Sequence, residues 1–165
     1  MGDKMNKPSI FICFSLFALL FSSQVMAFTP VYITGTVVAP LPCVINGNKI
    51  IDVNFGDDLL TSGVDGKNYI KTVDYSLECN TGGRNALKLQ VQGNSASFDG
   101  SALQTNLANL GIALKANGNA LAINGWINFT YPYKPVLQAV PVKRTGSTLA
   151  NGKFTSAATL MISYQ

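Results

Sequence analysis

NGKFTSAATLMISYQ, Asn151 to Gln165, is the stretch whose period decides the fold. Ala158, Leu160, Ile162 and Tyr164 alternate with Thr159, Met161 and Ser163. Successive side chains of an extended chain point to opposite faces, so residues two apart share one face of a strand. The same period recurs upstream. In YIKTVDYSLEC, Tyr69, Val73, Tyr75, Leu77 and Cys79 fall on one face; in LKLQV, Leu87, Leu89 and Val91; in LGIAL, Leu110, Ile112 and Leu114. Alternation over four to eight residues marks half-buried strands. No segment carries a convincing amphipathic helix, and Ala102–Leu110 has room for one short helical turn at most.

Turn signals punctuate these runs. Asn46-Gly47, Asn117-Gly118-Asn119, Asn124-Gly125 and Asn151-Gly152 combine the two residue types that best tolerate positive φ. Short strands with regular turns suggest an immunoglobulin-like β-sandwich. Tyr131 to Pro141 carries Pro132, Pro135 and Pro141. Proline keeps to the edges, bulges and loops of sheets, so this segment is expected to be an irregular connection leading into an edge strand.

The front of the chain has a different texture. Lys4 and Lys7 precede IFICFSLFALLF, an apolar run from Ile10 to Phe21, and Val25-Met26-Ala27 resembles a cleavage site. A basic start, an apolar run of roughly 7–15 residues and a small-residue end describe a secretory signal peptide. A spanning helix would need about 20 apolar residues. Residues 1–27 are therefore expected to be removed, leaving residues 28–165, enough for one domain. That loss takes the net charge from +4 to +3, and the remaining basic residues are scattered, with no cluster longer than Lys143-Arg144. Nucleic-acid binding needs a concentrated patch and is not expected.

Of three cysteines, Cys13 lies in the leader, so Cys43 and Cys79 have one intramolecular pairing open to them. In an oxidising compartment they should form a disulfide, worth roughly 4 kcal/mol on the chain-entropy view. Two cysteines without histidine make a poor zinc site.

The catalytic inventory is thin. The chain contains no histidine, which removes Ser-His-Asp and Cys-His chemistry. Asp57-Asp58 is an adjacent pair, and adjacent residues on an extended chain face opposite ways; it is expected to be a solvated turn after a Val53–Phe55 strand. There is no glycine-rich phosphate loop. Neither an enzyme nor a cofactor is expected. Trp126, Tyr131 and Tyr133 could line a sugar-binding surface, but core packing and loop anchoring account for them better.

A further alternating strand, VYITGTVVAP, runs from Val31 to Pro40, with Val31, Ile33 and Val37 on one face and Gly35 inside it. An unpaired strand at a chain end invites pairing with other chains. After it come Pro42-Cys43, the segment CVINGNKIIDVNFGD, the second cysteine in YSLEC, GIAL before an Asn-Gly turn, and an ending in which Gly152 is fourteenth from the terminus and Tyr164 penultimate. In this order the motifs resemble subunits of chaperone–usher pili, particularly minor or adaptor pilins, and the matching features are spread across residues 28–165.

The resemblance implies an incomplete immunoglobulin-like sandwich lacking its last strand, with an N-terminal donor-strand extension over residues 28–39 and a pilin domain over 40–165. Such a fold leaves a groove that a strand from another chain can fill. By that likeness a periplasmic pilus chaperone would first lend a strand. It would pair along Ala158, Leu160, Ile162 and Tyr164, beyond Gly152, with the carboxylate of Gln165 held by chaperone cations. An outer-membrane usher would then exchange the chaperone for a neighbouring pilin subunit. Val31, Ile33 and Val37 would fill the neighbour's groove, and Gly35 would sit where it narrows. Gly35 as a simple bulge is the competing reading. The implied role is a structural fimbrial subunit at the cell surface that supports adhesion. Residues 28–165 are short for a two-domain tip adhesin, which favours a minor tip or adaptor subunit. A major rod or terminating subunit, or a secreted carbohydrate-binding sandwich, would be the alternatives.

Overall fold

The computed structural model describes residues 29–35, 43–80 and 82–165. The expected leader, Val37 and the Pro40–Pro42 boundary lie outside the described residues. The chain divides into two units, 1–37 and 38–165. In the first, Thr29 to Gly35 is irregular and exposed.

In the second unit the two-residue periods become strands. The centre of one sheet is β4 (Ala86–Gly93), whose Leu87 and Leu89 are completely buried. β9 (Trp126–Thr130) pairs with one side of it and β11 (Ala158–Tyr164) with the other, both antiparallel. A larger sheet runs in the order β2 (Lys71–Val73), β10 (Leu137–Lys143), β7 (Leu110–Ala116), β6 (Asp99–Gln104) and β5 (Ser95–Ala96). β8 (Asn119–Leu121) folds back on β7 through Asn117-Gly118, with φ of 50° and 80°. Positive φ at both central residues matches the twist of the flanking strands, which is why Asn-Gly serves here. β1 (Cys43–Ile45) and β3 (Leu77–Cys79) form a separate two-stranded ladder, closed by the expected Cys43–Cys79 disulfide.

One apolar cluster joins the layers. Leu89 and Val91 of β4 meet Ile112, Leu114 and Ala116 of β7, Leu137 and Ala139 of β10, and Leu103 of β6. The expected inward faces at 87/89/91 and 110/112/114 are buried. A smaller cluster holds Val64, Leu110 and Leu149.

Three local expectations need correction. Tyr69 to Cys79 is not one strand: β2 belongs to the large sheet and β3 to the small ladder, the chain changing partners over Asp74–Ser76. Ala102–Leu110 holds no helical turn; Ala102–Gln104 ends β6 and pairs with β7. β10 is not an edge strand, since β7 lies along all of it and β2 along Leu137–Ala139. Pro141 fits because β2 has ended by then. Its carbonyl accepts a bond from the Gly66 amide at 3.2 Å on that outer side. Within a strand a residue's N–H and C=O point the same way, so the missing N–H faces a position with no ladder to serve.

Tyr75 shows how polar atoms are handled in the core. Its hydroxyl donates to the Pro135 carbonyl at 2.7 Å, and burial pushes its pKa up to about 12. A phenol ionises near 10 in an unfolded chain, so the contribution is whole below pH 10 and is lost as pH rises toward 12. Stability should therefore fall by on the order of 2 kcal/mol across that window, read as the urea midpoint against pH. Tyr75→Phe should flatten the fall while costing about 1–3 kcal/mol at neutral pH, because Pro135 loses its donor.

Candidate strand-docking groove

β11 is an edge strand with one partner among the described residues. Its register runs from Ala158 opposite Gly93 to Tyr164 opposite Leu87. The Gln165 amide donates to the Ala86 carbonyl at 3.2 Å. Antiparallel bonding alternates along a strand. Residues 159, 161, 163 and 165 therefore aim their backbone groups at β4, and those of Leu160 and Ile162 aim outward. No described residue bonds the outward groups of these two. The same two side chains are half-buried and pack on the main cluster. Leu160 and Ile162 thus combine a core-facing side chain with an unoccupied backbone edge.

A second strip has the same character. Residues 49–58 run without a ladder partner among the described residues, yet exposure alternates: Ile51, Val53 and Phe55 are half-buried, and Asp52, Asn54 and Gly56 are exposed. Ile51, Val53 and Phe55 pack on the same cluster as Leu160 and Ile162. The expected Val53–Phe55 strand is therefore extended but unpaired. Asp57 and Asp58 are exposed at the bend that follows, as expected for a solvated turn.

The two strips meet in one ring contact, and β11 is anchored at both ends. Phe55 and Phe154, which leads into β11, lie 5.8 Å apart between ring centroids. At the other end of β11 the Tyr164 hydroxyl reaches the Asn80 carbonyl, just beyond β3, at 3.5 Å. Gln165 Nε2 donates to the Leu87 carbonyl at 2.8 Å, anchoring the terminus to β4. Gly93 holds the other end tight: a Cβ there would come within 2.5 Å of Leu103 and 3.3 Å of the Ala157 carbonyl. The arrangement has the chemistry of a strand acceptor, half-buried apolar side chains beside backbone donors and acceptors that no described residue bonds. Among the described residues no group of His, Cys, Asp or Glu could hold a metal ion.

The expected site residues are distributed unevenly. Leu160, Ile162 and Tyr164 share the half-buried face, whereas Ala158 is exposed. Gly152 lies outside β11, exposed, with φ of 136°. Val31 and Ile33 are 80% and 92% exposed, and an added Cβ on Gly35 would meet nothing within 4 Å. Ile51, Val53, Phe55 and Phe154 were not anticipated as part of a site. Their two-residue period in IIDVNF was visible, but nothing in it shows that the strand lacks a partner. The aromatic trio does not form one surface. Tyr131 packs on the core, as do its alternates Ile127 and Phe129, while Trp126 takes the opposite, outer face of β9 beneath the Lys88 ammonium.

This is an immunoglobulin-like sandwich one strand short, with an open edge beside its own core, which is the pilin type of subunit. The Fimbrial protein family matches residues 31–165, and the chain belongs to that family. It is 37% identical over 132 residues to the uncharacterized fimbrial-like protein YfcR of Escherichia coli K12, covering 77% of this chain and 75% of that one. With YfcQ of the same organism the identity is 35% over 137 residues, 79% and 84% covered. Among solved structures, the P pilus rod subunit PapA superposes with a TM-score of 0.57 at 23% identity, covering 82% of this chain and all of PapA. The P pilus adaptor subunit PapF gives 0.56 at 25%, covering 77% and 98%. The family is one of structural fimbrial subunits, and the chain has a pilin role.

Neighbours on β11 should respond differently to charge. Ile162→Asp places a carboxylate on the core-facing side and should lower the urea midpoint by the equivalent of about 1–3 kcal/mol. Met161→Asp, one residue away on the outer face, should change it by less than about 0.5 kcal/mol. Equal losses would mean that the groove face is wrongly assigned.

Proposed function

We propose that this chain is a structural subunit of a chaperone–usher fimbria, in a minor tip or adaptor position, that polymerises by donor-strand complementation and supports adhesion at the cell surface. The observation that carries the reading is the outward backbone of Leu160 and Ile162 beside their own half-buried side chains. Unpaired donors and acceptors on an exposed edge are a template for another strand. In this reading a periplasmic chaperone lends the first strand, pairing from Ala158 to Tyr164 beyond Gly152, and its cations hold the Gln165 carboxylate. The usher then replaces it with the extension of a neighbouring subunit.

The extension of this chain is residues 28–39, joined to the pilin domain 40–165 after removal of residues 1–27. Val31, Ile33 and Val37 enter the neighbour's groove, and Gly35 fits its narrow point. The exposure of Val31 and Ile33 supports the donor role, since apolar side chains so fully in water gain most from burial in a partner. The adaptor position rests on the likeness of the motifs; PapA and PapF match the fold equally well and do not separate rod from adaptor.

Deleting residues 28–39 should leave chaperone co-purification intact and abolish insertion of the subunit into its neighbour, read as loss of the heat-stable oligomer ladder. A truncated chain that no longer co-purifies with chaperone would make 28–39 a strand of this domain and end the donor reading.

A further inference from the structure

The four Asn-Gly pairs of this chain are chemically alike, yet the fold treats one of them differently. The Asn46 side-chain amide donates to the Lys49 and Ile50 carbonyls, both at 3.2 Å. Asn117 Oδ1 accepts from the Val136 amide at 2.9 Å. Asn124 clasps the backbone of Gly93, with Oδ1 accepting from its N–H and Nδ2 donating to its carbonyl, each at 3.1 Å. The Gly125 amide is also occupied, donating to the Ala122 carbonyl at 3.1 Å. Among the described residues Asn151 has no such bond, from its side chain or from the Gly152 amide, and both residues are exposed. A Cβ on Gly152 would meet nothing within 4 Å, so the space around it is open.

The segment is held on both sides of this gap. Leu149 is buried in the smaller cluster. On the far side, Asn106 Nδ2 donates to the Lys153 carbonyl at 3.2 Å and Asn106 Oδ1 accepts from the Thr155 amide at 2.6 Å. Asn151 and Gly152 therefore form a short unrestrained link between two anchors.

We propose that Asn151 is a site of spontaneous deamidation in the folded protein, and that Asn46, Asn117 and Asn124 are protected by their hydrogen bonds. The Gly152 backbone nitrogen loses its proton and attacks Cγ of Asn151. The new N–Cγ bond closes a five-membered succinimide as the Cγ–Nδ2 bond breaks and ammonia leaves. Water then opens the ring at either carbonyl, giving aspartate or isoaspartate. The sum is asparagine plus water to an acid plus ammonia, with no oxidant or enzyme. Glycine at the second position matters because no side chain shields its nitrogen, and asparagine is the thermolabile partner. Each event removes one unit of net positive charge, on the approach to β11, and the isoaspartate form lengthens the backbone between the Leu149 and Lys153 anchors.

The test is ageing of the full chain as recovered from cells, at mildly alkaline pH. Peptide mass spectrometry reads amide-to-acid conversion at each pair, and isoaspartate methylation confirms the product. Conversion at Asn151 should exceed that at the other three pairs several-fold in the folded protein, and the four should become comparable in urea. Asn151→Gln should stop it at that site without altering the urea midpoint. Comparable conversion at all four pairs in the folded protein, or none at Asn151, overturns the proposal.

Discussion

Everything in this structure depends on one mismatch: β11 contributes core side chains but has only one hydrogen-bonded neighbour among the described residues. A closed sandwich would satisfy both requirements with the same strand. Here Leu160 and Ile162 are fixed by β4 on one side and open on the other. Ladder parity makes the consequence specific, because the outward backbone groups belong to the residues whose side chains point in. A strand laid along this edge would satisfy the backbone and cover the side chains in one step. A small ligand could do only one of the two.

The opposite strip depends on a different constraint. Ile51, Val53 and Phe55 have no ladder to hold them, yet they lie inside the loop that the Cys43–Cys79 disulfide closes over a sequence separation of 36. β1 and β3 bring three residue pairs to that closure, too few for an independent ladder. The covalent link limits the freedom of the unpaired strip in the unfolded chain, a gain of roughly 4 kcal/mol in the entropic picture. The bond expected from cysteine count alone thus has a positional meaning that the count did not carry: it lies at the root of the strip that has no ladder partner among the described residues.

What could be read from the residues, and what could not, follows from range. Burial at Leu87, Leu89, Ile112 and Leu114 was legible because period two is local. So was the Asn117-Gly118 hairpin, whose backbone requirement is met by two adjacent residues. The split of Tyr69–Cys79 between two ladders was not legible, because both halves keep the same alternation and only the partners differ. Pro141 misleads for the same reason: proline reports a missing donor, and whether that matters depends on where β2 stops. The groove was legible on the β11 side through the family likeness. The Ile51–Phe55 wall was not, since an unpaired strand and a paired one have the same pattern of side chains.

The two edges of the β11-β4-β9 sheet are built differently. On β9, the Tyr131 amide bonds the Asn85 carbonyl, so the outward backbone groups belong to Trp126, Asn128 and Thr130. That edge is blunted. It is five residues long, the Thr130 carbonyl is taken by the Tyr133 amide at 2.9 Å, and Pro132 follows at once. The β11 edge is seven residues long, carries no proline, and has the half-buried Leu160 and Ile162 beside it. Natural sheets shorten, charge or interrupt edges that must stay unpaired. One edge of this sheet follows that rule and the other breaks it, on the side where the core is open. The same contrast weakens the carbohydrate reading: Trp126 sits on the blunted side, apart from Tyr131, and the groove has none of the charged or amide side chains at its centre that would orient a sugar.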